Sequence, residues 1–438
     1  MTFKSSLKFA GSLIFPKAEK KSSARRSLFG AMLCIGLSIV PLIAVISITD
    51  GMIDGMTDRL IGLSSGHLQS YIASGIPQVK SAKAFKEYAG ALMEIDGVSS
   101  VYPEINTAAL AAGKNVRKGI QIRAVEKDIF QKNQSFKKFF EIKEGSLEDF
   151  SYSVKTAVIG QKLSEDLGMH PGDSFRIITT KNSGADKKII TPKLSTFTVS
   201  AVVSSGYQEL DQFWVFIPME TAYSSLSLEN ASYNVLIETK DAFSPDLVRI
   251  QLECKDYFGR FANVYRWDQI HSSEFENFSS TKVMLVFVMM LIVLVASVNI
   301  SSSIIMLVME RQKEIAILKS IGATSKGISL SFLMAGTACG AGGLLFGVPL
   351  GLLITVFSNQ LIAACEKTVN FVVHLFNGQK DYLYLMDPAY YLSEIPVKIS
   401  PLEIVFIITG VILLSVLVSY FPAKKAGKEK PLEILRKG

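Results

Sequence analysis

Four long apolar runs interrupt a chain whose other stretches mix polar and apolar positions. The runs 28–48 and 283–309 carry no charge, a third extends over 328–364, and a fourth over 404–421. A helix needs about 20 apolar residues to cross about 30 Å of hydrocarbon, so each run predicts a transmembrane helix. The third is longer than one span requires, which predicts tilt or projection from the bilayer. The first reads as a retained anchor rather than a signal peptide: 27 residues precede it, and no Ala-x-Ala cleavage site lies before Asp50.

Between the first two runs the pattern changes to short alternating and helical segments. Strand-like runs fall at 119–125, 174–180, 196–204, 214–218 and 233–239, and helix-like runs at 84–95, 161–167 and 245–258. Residues 168–173, GMHPGD, read as a helix stop followed by a turn into a strand. The stretch is ample for a folded domain with its own core. The expected fold class is therefore a membrane protein: four transmembrane α-helices, with a large α+β extracytoplasmic domain inserted between helices 1 and 2.

Charge orients this arrangement. Lys4, Lys8, Lys17, Lys20, Lys21, Arg25 and Arg26 precede the first run. Arg311, Lys313, Lys319 and Lys326 lie between the second and third, and Lys424, Lys425, Lys428, Lys430, Arg436 and Lys437 follow the fourth. The longer 365–403 stretch holds only Lys367, Lys380 and Lys398. Basic loops stay cytoplasmic, so both termini and the 310–327 loop are expected inside. The organisation predicted is a basic N-terminal segment (1–27), span 1 (28–48), the outer domain (49–281), span 2 (282–309), a cytoplasmic loop (310–327), span 3 (328–364), an outer loop (365–403), span 4 (404–421) and a cytoplasmic tail (422–438). Phe3, Leu7, Ala10 and Ile14 recur at helical spacing, so residues 2–15 are expected to form an interfacial helix.

Composition agrees with a mixed protein: 49% of residues are hydrophobic, 19% are charged, and mean hydropathy is +0.31. The net charge of +7 follows from topology, and no nucleic-acid partner is expected. Cys254 is the sole cysteine of the large polar region, so no disulfide is expected within it. His67, His170, His271 and His374 lack metal-ligand spacing, and no metal or catalytic residue is expected. The chain has no Gly-x-x-x-x-Gly-Lys-Ser/Thr loop, no His-Glu-x-x-His and no Gly-x-Ser-x-Gly. It should not hydrolyse ATP by itself. Its apolar runs hold no acid or base for an ion path; Asn299 reads as an interhelical hydrogen-bond partner.

Two patterns remain. In MERQKEIAILKSIGA (309–323), Ile315, Leu318 and Ile321 recur at helical spacing beside Glu310, Arg311, Lys313, Glu314 and Lys319. This amphipathic helix fits either the groove of a soluble partner or the lipid headgroups. In the third run Gly343, Gly347 and Gly351 form a small-residue ridge, suited to close helix packing within the chain or to an interface between subunits.

The segment VASVNISSSIIMLVMERQKEIAILKSIGAT (295–324) resembles the core signature of FtsX/MacB-type permeases of ABC transporters. YFPAKKAGKEKPLEILR (420–436) is similar to their C-terminal tail, and IGQKLSEDLGMHPGDSF (159–175) to their periplasmic domain. YLYLMDPAYYLSEIPVKISPLEI (382–404) and ISITDGMIDGMTDRLIGLSSGHLQSY (46–71) resemble the lipoprotein-releasing LolC/LolE branch. The resemblance implies a bacterial inner-membrane permease that extracts lipoproteins and passes them to a soluble LolA-like periplasmic carrier. Its implied partners are a LolD-like ATPase dimer, which binds ATP and magnesium, and a second permease or a second copy of this chain. It also implies that 310–321 is the coupling helix, with Glu310, Arg311, Glu314 and Ile315 at matching positions. A carrier-recruiting hairpin would lie at 180–196 with Lys181, Lys187, Lys188 and Lys193; a solvated loop is the plainer reading there. The same frame serves FtsX-like signalling to periplasmic partners and MacB-like efflux, and both stand as alternative functions.

Overall fold

In a computed structural model, four helices of the described residues are long and apolar enough to cross a membrane. The structure describes residues 9–11, 23–113, 116–148, 150, 155–183, 189–377 and 395–429. The four long helices are α1 (Ser23–Leu60), α2 (Ser272–Glu310), α4 (Ser325–Val356) and α6 (Pro401–Lys428). Two shorter ones lie between them, α3 (Gln312–Ser320) and α5 (Ser358–Asn377). The apolar run 328–364 is thus divided: α4 ends at Val356, and α5 begins after Phe357. The described residues form two units, one helical (residues up to 52, 278–377 and 395–429) and one rich in strands (53–277).

In the helical unit, α4 is packed on two sides through glycine. Gly343, Gly347 and Gly351 lie against α1, where a Cβ on Gly347 would stand 2.7 Å from the Gly36 carbonyl oxygen. On its other side, side chains on Gly336 and Gly340 would run into Ser419 and Ser415 of α6. Absent Cβ atoms let these backbones approach, so the ridge is used for packing within the chain. Ile35, Ile39, Ile300, Ile304 and Phe332 fill the core between the helices. Much of α2 faces outward with apolar side chains, including Val283 at 66% and Met284 at 68% exposure. Such a largely apolar face suits lipid or another apolar surface. Asn299 also lies on an exposed position of α2.

The other unit is built on one ten-stranded mixed sheet in the order β10-β1-β9-β2-β3-β8-β5-β7-β4, with β6 pairing β2 and β7. The strands are β1 (Leu68–Ile72), β2 (Val98–Ala112), β3 (Arg117–Val125), β4 (Glu141–Gly145), β5 (Thr156–Gly160), β6 (Ser174–Ser183), β7 (Ile189–Ser204), β8 (Trp214–Pro218), β9 (Ser232–Thr239) and β10 (Ala262–Arg266). β3–β8 and β5–β7 are parallel, and the other pairs are antiparallel. β8 is buried on both faces. Val215 and Ile217 join a core with Phe85 and Phe258, whereas Trp214 and Phe216 join an aromatic core with Phe130, Phe136 and Phe150. This alternation follows from the two-residue period of a strand. At GMHPGD, Gly168 adopts φ +62° and ends the helix Gln161–Leu167, and the chain then turns into β6.

Candidate functional site

The helical unit presents two places where several helices are tied together by polar contacts. The first is α3. Arg311 breaks the path from α2, and its guanidinium pairs with Glu314 one turn on. Ile315 and Ala316 are buried in the helical core, so they anchor α3. Lys319 Nζ donates to the carbonyls of Gly427 at 2.7 Å and Glu429 at 2.6 Å, at the end of α6. An ammonium at the carbonyl end of a helix satisfies free acceptors and opposes the negative end of the helix dipole. At its other end α3 stops at Gly322, whose φ of +101° suits glycine, and Thr324 caps α4 by accepting from Gly327 N at 3.2 Å.

The anticipated coupling residues therefore divide. Ile315 faces inward, and Leu318 is half-buried. Glu310 and Glu314 are exposed, and Ile321 is 80% exposed. Ile317, not singled out from the sequence, is half exposed and follows Glu314 at helical spacing. The outward stripe is thus Glu314, Ile317 and Ile321, an acid followed by two apolar side chains. That surface suits a complementary groove on a protein partner.

The second place lies at the other ends of the helices. Lys282 of α2 pairs with Asp50 of α1 at 2.5 Å and with Glu403 of α6 at 2.8 Å. One ammonium holds two carboxylates from different helices. Beside it the 395–400 strap crosses α1: Lys398 N donates to Ser47 O at 3.1 Å, and the Pro396 carbonyl abuts Gly51. Asn359 of α5 fixes the start of the strap, accepting from Ile395 N at 3.1 Å and donating to Ile395 O at 3.2 Å. No local sequence signal announced this cluster, because its members are far apart along the chain.

In the strand-rich unit, the described parts of the 180–196 region, 180–183 and 189–196, are paired arms of β6 and β7. Lys181 lies in β6, where its backbone is in register with Thr191. Lys193 Nζ donates to Leu226 O at 3.0 Å, so this lysine braces the base of the hairpin. Lys187 and Lys188 lie outside the described residues. His67 is seated beneath Thr239, whose backbone N–H donates to His67 Nδ1 at 3.0 Å. Burial pushes the imidazole below its ordinary pKa, against an opposing pull from Asp241. Among the described residues no group of His, Cys, Asp or Glu is disposed to hold a metal ion.

Comparison with known proteins places these features in context. Residues 28–253 match the MacB-like periplasmic core domain, and residues 286–431 match the FtsX-like permease C-terminal region. The lipoprotein-releasing system transmembrane protein LolC of Neisseria meningitidis is 24% identical over 92% of this chain and 92% of its own. LolC of Haemophilus influenzae is 25% identical over 93% of this chain and 92% of its own. LolE of the same organism is 23% identical over 78% of this chain and 77% of its own.

Proposed function

This chain belongs to the MacB-like periplasmic core domain family, and we infer that it is the permease subunit of an ABC transporter that releases lipoproteins from the bacterial inner membrane. The observation that carries the reading is the end-to-end likeness to lipoprotein-releasing transmembrane proteins. The likeness takes in both the helical and the strand-rich parts.

In this reading α1, α2, α4 and α6 span the membrane, and the strand-rich domain is inserted between the first two spans on the periplasmic side. Both termini and α3 are cytoplasmic, as the distribution of lysine and arginine favours. The chain is non-catalytic. Energy comes from a LolD-like ATPase dimer, which holds ATP and magnesium and receives the exposed stripe of α3. Ile315 and Lys319 pass a displacement of α3 to the helix core and to the end of α6. A second permease of the LolC/LolE kind, or a second copy of this chain, completes the path. The cargo carries its own acyl chains, so the route needs apolar walls such as the outward face of α2 rather than a charged channel. A LolA-like periplasmic carrier then accepts it, with the β6–β7 hairpin, including Lys181, Lys187, Lys188 and Lys193, as the candidate contact.

Reconstitution tests this. The chain and its associated ATPase are placed in proteoliposomes loaded with a lipidated protein, and transfer to a soluble carrier is followed. ATP-dependent transfer is expected. ATP hydrolysis without transfer would overturn the release reading and favour FtsX-like signalling or MacB-like efflux.

A further inference from the structure

A groove runs between the first turns of α4 and the last turns of α6 and encloses about 440 Å³. Lys326, Lys424 and Lys428 line it, and none of its lining residues is acidic. Leu330, Leu333 and Tyr420 supply an apolar wall, and Lys424 Nζ lies 5.5 Å from the centre of the Tyr420 ring. The first turn of α4 adds the positive end of its dipole. The opposing negative end of α6 is taken up by Lys319. Three cations above an apolar wall, on two helices apolar enough to span a membrane, ask for a ligand that is an anion at one end and a hydrocarbon at the other. Basic clefts between transmembrane helices at the cytoplasmic surface recognise acidic lipid headgroups in this way.

We propose that this groove binds one anionic phospholipid, its phosphate held among Lys326, Lys424 and Lys428 and an acyl chain laid along Leu330, Leu333 and Tyr420. A soluble anion would leave the leucines uncovered, and a neutral lipid would leave the lysines unmatched. Gly427 lines the groove, and its carbonyl also accepts from Lys319 of α3. A bound lipid therefore braces the junction at which α3 is fastened to α6.

The test uses the full-length protein, purified without its ATPase, so its outcome does not depend on lipoprotein release. Native mass spectrometry during titration with phosphatidylglycerol is expected to show one retained lipid, with phosphatidylcholine bound about a hundredfold more weakly. The combined variant Lys326→Gln, Lys424→Gln and Lys428→Gln should lose about the same factor, and the triple arginine variant should keep binding. A second measurement needs no variant: a phosphatidylglycerol carrying a photoreactive acyl chain should label the peptide containing Leu330 and Leu333. Equal binding of the two lipids, unchanged binding in the glutamine variant, displacement by inorganic phosphate, or labelling confined to other helices would each overturn the proposal. Capture of an acidic peptide in preference to the lipid would overturn it in favour of a protein partner.

Discussion

The carbonyl of Pro396 occupies the space that a side chain on Gly51 would need. Gly51 lies within α1, where glycine costs about 1 kcal/mol relative to alanine, and the close approach of the 395–400 strap is its physical reason. Gly51→Ala should therefore destabilise the protein by about 1–3 kcal/mol through overpacking, despite the gain in helix propensity. Gly410→Ala, at a position with no atom within 4 Å of the added carbon, should be neutral or stabilising. Thermal unfolding in detergent separates the two, and matching melting curves would count against the strap.

Arg123 and Glu104 are both 2% exposed, and the guanidinium meets the carboxylate at 2.5 Å and 3.0 Å while also donating to Leu63 O. Removing one member of a buried pair leaves the other charge unmatched, at a cost of about 3–5 kcal/mol. Arg123→Met should show that loss, and adding Glu104→Met should recover much of it. Both tryptophans of the chain, Trp214 and Trp267, belong to the strand-rich unit, so intrinsic fluorescence during denaturation reports on it directly.

Lys282 is the cation shared by Asp50 and Glu403. Lys282→Met leaves two facing carboxylates and should lower the melting temperature, with a loss of about 1 kcal/mol for partly exposed pairs. Lys282→Met combined with Glu403→Gln leaves a single carboxylate and should melt above the single variant. The reverse order would show that the pairs do not hold these helices.

Glu314 combines an ion pair to Arg311 with an exposed position on α3. Glu314→Lys is expected to lower ATP-dependent lipoprotein transfer at least about tenfold, because it reverses the charge on the exposed stripe offered to a partner, while the partner's ATP hydrolysis persists. Normal coupled transfer in this variant would remove α3 as the coupling element.

His67 gives a pH dependence with a definite sign. Burial depresses its folded pKa, so as pH falls through about 6.5 the unfolded chain takes up the proton first. Its contribution is complete above that value and is lost as pH falls towards the folded pKa. The melting temperature should drop between about pH 7.5 and pH 5.5, and His67→Gln should drop less. Equal drops would show that His67 does not carry the effect.

The four long apolar helices were legible because uninterrupted apolarity is a long-range signal, but the break at Phe357 was not, since both sides of it are apolar. Strands β3, β6, β7, β8 and β9 coincide with the alternating runs. β2 escaped notice because Pro103, Glu104 and Asn106 interrupt its apolar pattern; Glu104 is buried there only because Arg123 reaches it from β3. β1 likewise hides the buried polar residues Gln69 and Ser70, and β4 is exposed throughout. For α3 the sequence indicated an amphipathic helix but not its inward face. Ile315, Leu318 and Ile321 share a spacing, yet Ile315 is turned inward and Ile321 outward. Which isoleucine anchors depends on the helices packed behind it. The Asp50–Lys282–Glu403 cluster had no local signature at all.

The pairing of β1 with β10, Leu68 opposite Arg266, has a consequence for biogenesis. The first strand of the sheet waits for the last before its edge is closed, and β9, its other neighbour, also comes from the far end. Nearly the whole unit must be translated before that side of the sheet can form, and such late, long-range closure is slow and exposes unpaired strand edges to misassociation. A nascent chain stalled before residue 262 would therefore present β1 with only part of its pairing and one edge of the sheet open.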